Sequence, residues 1–501
     1  MAILNEIIAS ALKGERDEPL LEFRDHWLPR GALAAVAAEV DQRLLLTDSP
    51  HEAPIAIIPR NRPAFVAAIS AVVGSGRSIL MIYAFQSPEA VAADVRRLRP
   101  AVVVADEQDW ADAVREAARE VGSAGIVLRD HAAPENAVGF VSGLEQTDPA
   151  VEHHPPFAAP GIEMLTSGTT GAPKRFHLGY DLIERSMVLE HTQYASDSIT
   201  NSPPAVAMFP FGNISGLYSL FPLLAARKRF VLLEKFTVEA WLSAVQRHRL
   251  PRIALPPAGF CMLLDADPPL SALESLEFIN TGAAHLPVEV QEEFEAKFGI
   301  PVLTSYGATE FGGPVTNMTL ELRRRWGDRK LGSVGLPWAG AELRVVDGDS
   351  GAELPRGSVG ILEVRTPRMG GDWIRTSDVA MIDADGFVFH RGRADGAITR
   401  GGFKILPETV NSAFESHPSV AAAATVAAPD RRLGQVPVTA VELRVGAPAV
   451  SAEALLEHAR KHLYATHVPV RVRIIDALPR TPSMKVSLVD VRALMADVEG
   501  R

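Results

Sequence analysis

The sequence predicts an α/β protein: a large N-terminal region of layered βα subdomains plus a small β-rich subdomain, followed by a small α+β C-terminal domain. Three patterns carry this expectation. Short apolar runs alternate with helical stretches over 54–128 and again over 205–306, the rhythm of mostly parallel, layered sheets. From Gly332 to residue 393, β-rich runs (AELRVVD, GILEVRT, GFVFHR) are separated by Gly-Asp and Asp-Gly turns, as in a small twisted sheet. Beyond about Asp395 the order helix, strand, strand, helix, strand is enough for a unit of its own. The expected domains are 1–394, with the β-rich part at 332–394, and 395–501.

In chain order, residues 31–47 read as a helix and the start of a strand. Pro54–Pro59 (PIAIIP) reads as a short buried strand. Asn61–Val73 reads as an apolar helix with Pro63 near its first turn, where a missing N–H is harmless. Ser78–Tyr83 is a strand, Ser87–Arg97 a helix, Ala101–Ala105 a strand, Trp110–Val121 a helix and Gly125–Leu128 a short strand. Residues 142–160, acidic and proline-rich, form a connection. Tyr180–Tyr194 reads as a helix, Ala205–Phe209 as a strand, Ile214–Leu224 as an apolar helix and Arg229–Leu233 as a strand. Val238–His248 is a helix and Arg252–Leu255 a strand. In 301–313 the strand is expected to end at Thr304 and to be broken by Tyr306-Gly307. The last domain holds helix 407–416, strands 420–427 and 436–444, helix 451–463 and strand 470–475.

A chain of 501 residues can bury a large core. A formal net charge of −11 argues against a general nucleic-acid binder, though not against a local anion site. The single cysteine, Cys261, excludes an intramolecular disulfide framework and a cysteine-rich metal site. No apolar run is long enough to span a bilayer, so no stable membrane insertion is expected. The N-terminus lacks a basic leader, and Glu6 stands where a signal core would lie, which predicts a cytoplasmic protein.

The most informative stretch is Gly161–Lys174, GIEMLTSGTTGAPK. Ile162, Met164 and Leu165 suggest the end of a buried strand. Thr166, Ser167, Thr169 and Thr170 supply hydroxyls, and Gly168 and Gly171 let the backbone turn tightly. Such a loop can aim N–H and O–H groups at phosphate oxygens, with Lys174 as a flexible charge. It is not a Walker loop, since no Gly-Lys-Ser/Thr follows at the required spacing. An ordinary polar turn after a strand explains the same residues. Two further glycine-containing loops, at 281–283 and 307–313, follow strands, and ligands of layered α/β proteins collect at strand carboxyl ends. The three loops are expected to converge on one ligand.

Together with the segments YGATE (306–310), RTSD (375–378), GRAD (392–395) and PRTPSMK (479–485), the stretch TSGTTGAPK resembles the signature motifs of the adenylate-forming superfamily, in order and over nearly the whole chain. The nearest resemblance is to freestanding acyl-CoA and aryl-CoA synthetases. It implies activation of a small-molecule carboxylic acid by ATP with Mg2+, giving an acyl-adenylate and pyrophosphate, followed by transfer to coenzyme A. It implies that Thr166–Gly171 and Thr309 contact phosphate and that Glu310 ligates magnesium. Lys485 would be the catalytic lysine of the first half-reaction. Asp378 would accept the ribose hydroxyls, and Arg393 would contact ribose or phosphate. Gly282, Ala283, Ala284 and Tyr306-Gly307 would flank adenine, with Tyr306 stacking on the ring. Asp395 would be the hinge of a mobile C-terminal domain, and Gly401-Gly402-Phe403-Lys404 would line the thiol tunnel after that domain rotates.

The chain departs from the pattern in places. Asn213 stands where a histidine is usual, Gly212 precedes it, Met484 replaces the glycine before Lys485, and Ser377 replaces a glycine beside Asp378. The expected acid pocket comprises Asn213, Ile214, Phe260, Asn280, Thr281, Gly282, Ala308 and Phe311, mostly apolar or small and without a basic partner for a second carboxylate. An aromatic or medium-size apolar acid is expected, with a fatty acid as the close alternative. A carrier-protein thiol is the alternative acceptor, and a homodimer is compatible with the sequence. A catalytically silent interaction protein would be expected to lack Lys485, Glu310 or Asp378, and all three are present.

Overall fold

The computed structural model describes residues 4–130, 136–166, 174–189, 202–283, 286, 288–338, 340–348, 350–393, 396–405, 407–444, 446–479 and 486–496. Among the described residues four sheets build the large N-terminal region and one builds the C-terminal part. The widest sheet has seven strands, in the order Val138–Phe140, Ala124–Leu128, Val102–Asp106, Ile55–Ile58, Ile79–Met81, Gly161–Thr166 and Lys174–Gly179. Its five central strands run parallel and its two outer pairings are antiparallel. Strands buried on both faces read as continuous apolar runs rather than alternating ones. Ile55–Ile58, Ile79–Met81, Val102–Asp106 and Ala124–Leu128 are buried at every position, as their sequences require.

A four-stranded sheet follows the order Ala205–Ala207, Phe230–Leu232, Pro19–Phe23 and His26–Pro29. Helix Pro63–Gly74 is buried at every residue before Gly74, and its core joins this sheet to the seven-stranded one. A five-stranded sheet runs Arg252–Ala254, Phe278–Thr281, Val302–Ala308, Gly313–Asn317 and Leu336–Pro337. The β-rich part is a four-stranded antiparallel sheet of Glu342–Val346, Val359–Arg365, Trp373–Ile382 and Val388–Arg393. The C-terminal sheet holds Phe403–Ile405, Ile398–Arg400, Gly434–Leu443 and Val420–Asp430, with Arg471–Ile475 parallel to Gly434–Leu443. Helices Pro407–Glu415 and Ala452–His462 pack on it around Phe414 and Leu455.

Three local expectations are corrected. Residues 31–47 contain no strand: helix Arg30–Leu45 ends in a turn. The segment after the glycine-rich loop is not simply helical. Lys174–Gly179 first returns as a strand beside Gly161–Thr166, and only then does helix Tyr180–Ile183 begin, passing into a π-helical turn to Leu189. Residues 190–194 of that expected helix lie outside the described residues. The strand from Val302 does not end at Thr304 but continues to Ala308. It pairs in parallel with Phe278–Thr281 up to Thr304, then turns antiparallel to Gly313–Asn317 with a bulge at Tyr306/Gly307. Gly307 permits this approach. A Cβ there would lie 2.5 Å from the Gly313 carbonyl oxygen and 2.6 Å from Pro314 Cα.

The C-terminal part packs on the N-terminal region through an aromatic group. The Tyr83 ring lies 5.5 Å from Phe85, 5.5 Å from Tyr464 and 6.1 Å from Phe403. Ser87 Oγ, which also caps helix Pro88–Leu98, donates to the Lys461 carbonyl at 2.9 Å.

Candidate active site

A cavity of about 820 Å3 opens where the carboxyl ends of parallel strands meet the C-terminal part. Its wall takes Asn280, Thr281, Gly282 and Ala283 from the end of one strand. Ser305, Gly307, Ala308, Thr309 and Glu310 come from the next. Gly212, Asn213 and Ile214 come from the start of helix Ile214–Ala225, and Gly401 to Lys404 from the small domain. Two of the three loops expected to converge, 281–283 and 307–313, meet at this cavity, where the Gly401–Lys404 hairpin joins them; the third, 166–171, lies outside the described residues beyond Thr166.

Local chemistry explains each placement. Thr309–Phe311 forms one 3-10 turn closed by Gly312 at φ +69°, which holds Thr309 and Glu310 at the strand end. Ala283 sits at φ +67°, a conformation costly for a side chain bearing a Cβ, and such strain gathers at sites that bind ligands. Thr281 is 5% exposed, and its hydroxyl oxygen has no partner among the described residues. Asn213 caps helix Ile214–Ala225, its Oδ1 accepting from the Gly216 N–H at 2.9 Å. Gly401 and Gly402 form the two-residue turn between Arg400 and Phe403, at φ +53° and +91°. Positive φ at both positions is what such a hairpin turn demands and what two glycines supply.

Asp378 lies behind the cavity on strand Trp373–Ile382, 5% exposed. Its Oδ2 accepts from the Tyr306 hydroxyl at 2.6 Å, and the His390 ring nitrogen lies 3.4 Å from Oδ1. Burial opposes ionisation. The His390 hydrogen bond, the Lys404 charge and the Tyr306 hydroxyl outweigh it and hold the carboxyl well below the usual range. A carboxylate has about four acceptor sites and can therefore accept from several donors at once. Arg393 pairs with Asp378 in register across the sheet.

Not every expected residue is on the cavity wall. Phe260 is fully buried, packed edge-on against Phe294 at 4.9 Å, because helix Pro257–Ala266 turns it into the core. Phe311, 2% exposed, tucks beneath the β-rich sheet with Val315 and Val345. Tyr306 is also off the wall, and its visible role is to donate to Asp378. Thr166 and Lys174 pair in register at the ends of their strands. Ser167, Gly168, Thr169, Thr170, Gly171, Ala284, Asp395 and Lys485 lie outside the described residues.

The cavity also holds residues that no motif marked. Glu234 and Lys235 line it as well. Tyr83, Tyr464 and His467 line the side facing the small domain. Burial, reinforced by the Arg400 charge, lowers His467 to about 4, so its imidazole is neutral near pH 7. Burial raises the phenols of Tyr83 and Tyr464. His390 stands in the alternating run GFVFHR, but only the pairing of Val388–Arg393 with Trp373–Ile382 reveals that it faces Asp378. Among the described residues no group of three or more His, Cys, Asp or Glu is arranged to hold a metal ion. The oxygen donors Glu310 and Thr309 on the wall fit a hard cation that takes most of its ligands from phosphates and water.

A layered α/β body and a small α+β domain with a cavity between them are the two-domain architecture of AMP-forming ligases. The chain belongs to the AMP-binding enzymes: the model of that family matches residues 9–371, and the model of the AMP-binding enzyme C-terminal domain matches 409–485. Similar proteins include a sulfoacetate–CoA ligase of Cupriavidus necator, 33% identical over 75% of each chain. An indoleacetate–CoA ligase of Aromatoleum aromaticum is 27% identical over 96% of each. Among solved structures, an amide bond synthetase from Marinactinospora thermotolerans superposes with a TM-score of 0.79 at 24% identity, covering 98% of this chain and 99% of that one. The o-succinylbenzoate CoA synthetase of Bacillus subtilis gives 0.77 at 23% identity, covering 97% and 98%. At these identities the two structures show a shared fold. No helix among the described residues is long and apolar enough to cross a membrane.

Proposed function

We propose that this enzyme is an ATP-dependent, AMP-forming carboxylic acid–CoA ligase acting on an aromatic or medium-size apolar acid. The observation that carries the reading is the cavity in which the 280–283 and 305–310 loops meet Gly401–Lys404, with an ionised Asp378 nearby, joined to the strand end by the Tyr306 hydroxyl. Its relatives' names, acid–CoA ligases throughout the two cited, support CoA as the acceptor.

In the first step the carboxylate attacks the α-phosphorus of ATP, and pyrophosphate leaves. Charge builds up on phosphate oxygens, so fixed donors and cations there lower the barrier. The 166–171 loop and Lys174 face the β- and γ-phosphates in this reading. Lys485 bridges the substrate carboxylate and the α-phosphate. Asp378, oriented by Tyr306, accepts the ribose hydroxyls, and Gly282, Ala283 and Ala284 border adenine. Glu310 would hold Mg2+, which neutralises phosphate charge when bound. In the second step the CoA thiol attacks the acyl carbon and AMP leaves, with Gly402 and Lys404 at the cavity as they stand in this structure; the first step would use the other position of the small domain, reached by a turn about Asp395. Two adjacent glycines leave room for a narrow pantetheine arm.

The acid occupies the part of the cavity bounded by Asn213, Ile214, Asn280, Thr281 and Ala308. A fatty acid, and a carrier-protein thiol as acceptor, are the alternatives. A panel of carboxylic acids with ATP, scored for pyrophosphate and AMP with and without CoA, tests the reading. Pyrophosphate release whose acyl product never reaches CoA would remove the CoA assignment.

A further inference from the structure

We infer that Asn61, seconded by Arg62, is a positioning residue that fixes the acid-binding wall of the cavity and thereby selects among acids; the inference rests on the carboxylate-activating function proposed above. Asn61 stands outside the motifs of this chain. It lies in the short loop between strand Ile55–Ile58 and helix Pro63–Gly74, and it is 2% exposed. Its amide nitrogen donates to the Phe209 carbonyl at 3.0 Å and to the Leu233 carbonyl at 3.3 Å. Its Oδ1 accepts from the Phe211 N–H at 3.1 Å. One side chain thus ties together two wall segments, one running through Phe209, Gly212, Asn213 and Ile214, the other through Glu234 and Phe236.

Sheet pairing reaches only the start of the two segments. Ala205–Ala207 and Phe230–Leu232 end there, the Leu233 N–H still donates to the Ala207 carbonyl at 2.9 Å, and past that bond the amide of Asn61 ties the Leu233 carbonyl to Phe209 and Phe211. Arg62 acts on the same side. Its guanidinium lies 2.6 Å from Glu234 and 2.6 Å from Asp106, which anchors the second segment to the seven-stranded sheet. Arg60 adds a bidentate pair with Asp109 at 2.6 and 2.7 Å, fixing the loop that carries Asn61. Losing the amide leaves buried backbone groups unpaired on both segments, and they are free to part. The acid is then held less closely, while the 305–310 strand end and Asp378 stay in place.

Asn61→Ala and Asn61→Asp, compared with the unaltered protein, give the test. Pyrophosphate release is followed with benzoate, phenylacetate and decanoate, and the ratios of kcat/KM between acids are compared. Loss of folded protein lowers all acids equally and leaves the ratios untouched. The expected result is a shift of those ratios by about tenfold towards the bulkier acid, with KM for ATP within about twofold, since small displacements of positioning groups act strongly on rate. Asn61→Asp keeps the acceptor for Phe211 but loses both donors, and it is expected to shift the ratios too. Unchanged ratios in both variants overturn the inference while leaving the ligase reading intact. Absence of pyrophosphate from the unaltered protein with every carboxylic acid overturns the reading and the inference with it.

Discussion

Replacing Gly307 with alanine tests the geometry that places Thr309 and Glu310. A Cβ at 307 would lie 2.5 Å from the Gly313 oxygen, about 0.9 Å short of ordinary contact, and 2.6 Å from Pro314 Cα. Both obstacles are backbone, so no side chain can swing away. The paired strands Val302–Ala308 and Gly313–Asn317 must separate locally, and the 3-10 turn Thr309–Phe311 joins them. Overpacking of this kind costs about 1–3 kcal/mol of stability, which a large domain can absorb while staying folded. A displacement near 1 Å at Thr309 and Glu310 is expected to lower kcat/KM for pyrophosphate release by about a hundredfold. The assay is ATP–pyrophosphate exchange with an accepted acid, alongside circular dichroism to confirm the fold. Exchange within about twofold of the unaltered protein would refute the reasoning, because it would show that the strand end does not govern the reaction.

Further outcomes follow from the same site. Lys485→Ala is expected to abolish pyrophosphate release yet spare thiolysis of a supplied acyl-adenylate; equal loss of both, measured separately, would contradict a lysine used in one half-reaction only. Asp378→Asn is expected to raise KM for ATP by about tenfold or more, read from initial rates at saturating acid. Because the Asp378 carboxyl is depressed on folding, it contributes stability above the unfolded value of about 4, and that contribution fades as pH falls below it. Urea midpoints of the wild type should therefore drop more steeply below pH 4 than those of Asp378→Asn. His467 has the opposite charge type. Folding lowers it to about 4, so the unfolded chain binds more protons between about 6.5 and 4, and stability is lost as pH falls through that window. His467→Gln should flatten the fall, and midpoints at pH 7 and 5 measure it.

Much of the fold was legible because its strands are buried on both faces. Runs such as PIAIIP and AVVVA have few other ways to pack, and the proline and serine at helix starts marked the entries of Pro63–Gly74 and Pro88–Leu98. The strand Lys174–Gly179 was missed because KRFHLG is polar and lies at a sheet edge, where one neighbour suffices. The extension of Val302–Ala308 was missed because Gly307 reads as a breaker. Here glycine serves close backbone approach instead. For the site, loops at strand ends were readable from glycines and hydroxyl residues. Phe260 and Phe311 were misplaced because aromatic residues beside a site are as well suited to the core. Asn61, Lys235 and His390 carry no local signal; only the meeting of distant segments gives them a place.

The central claim is that a carboxylate is adenylated in this cavity and then passed to CoA. A single-turnover experiment with one accepted acid, radiolabelled ATP and excess enzyme tests it most directly. The expected result is pyrophosphate and enzyme-held acyl-adenylate in the absence of CoA, with AMP and acyl-CoA appearing together only when CoA is added. Release of ADP and phosphate, or pyrophosphate formation that leaves no acyl-adenylate, would contradict it.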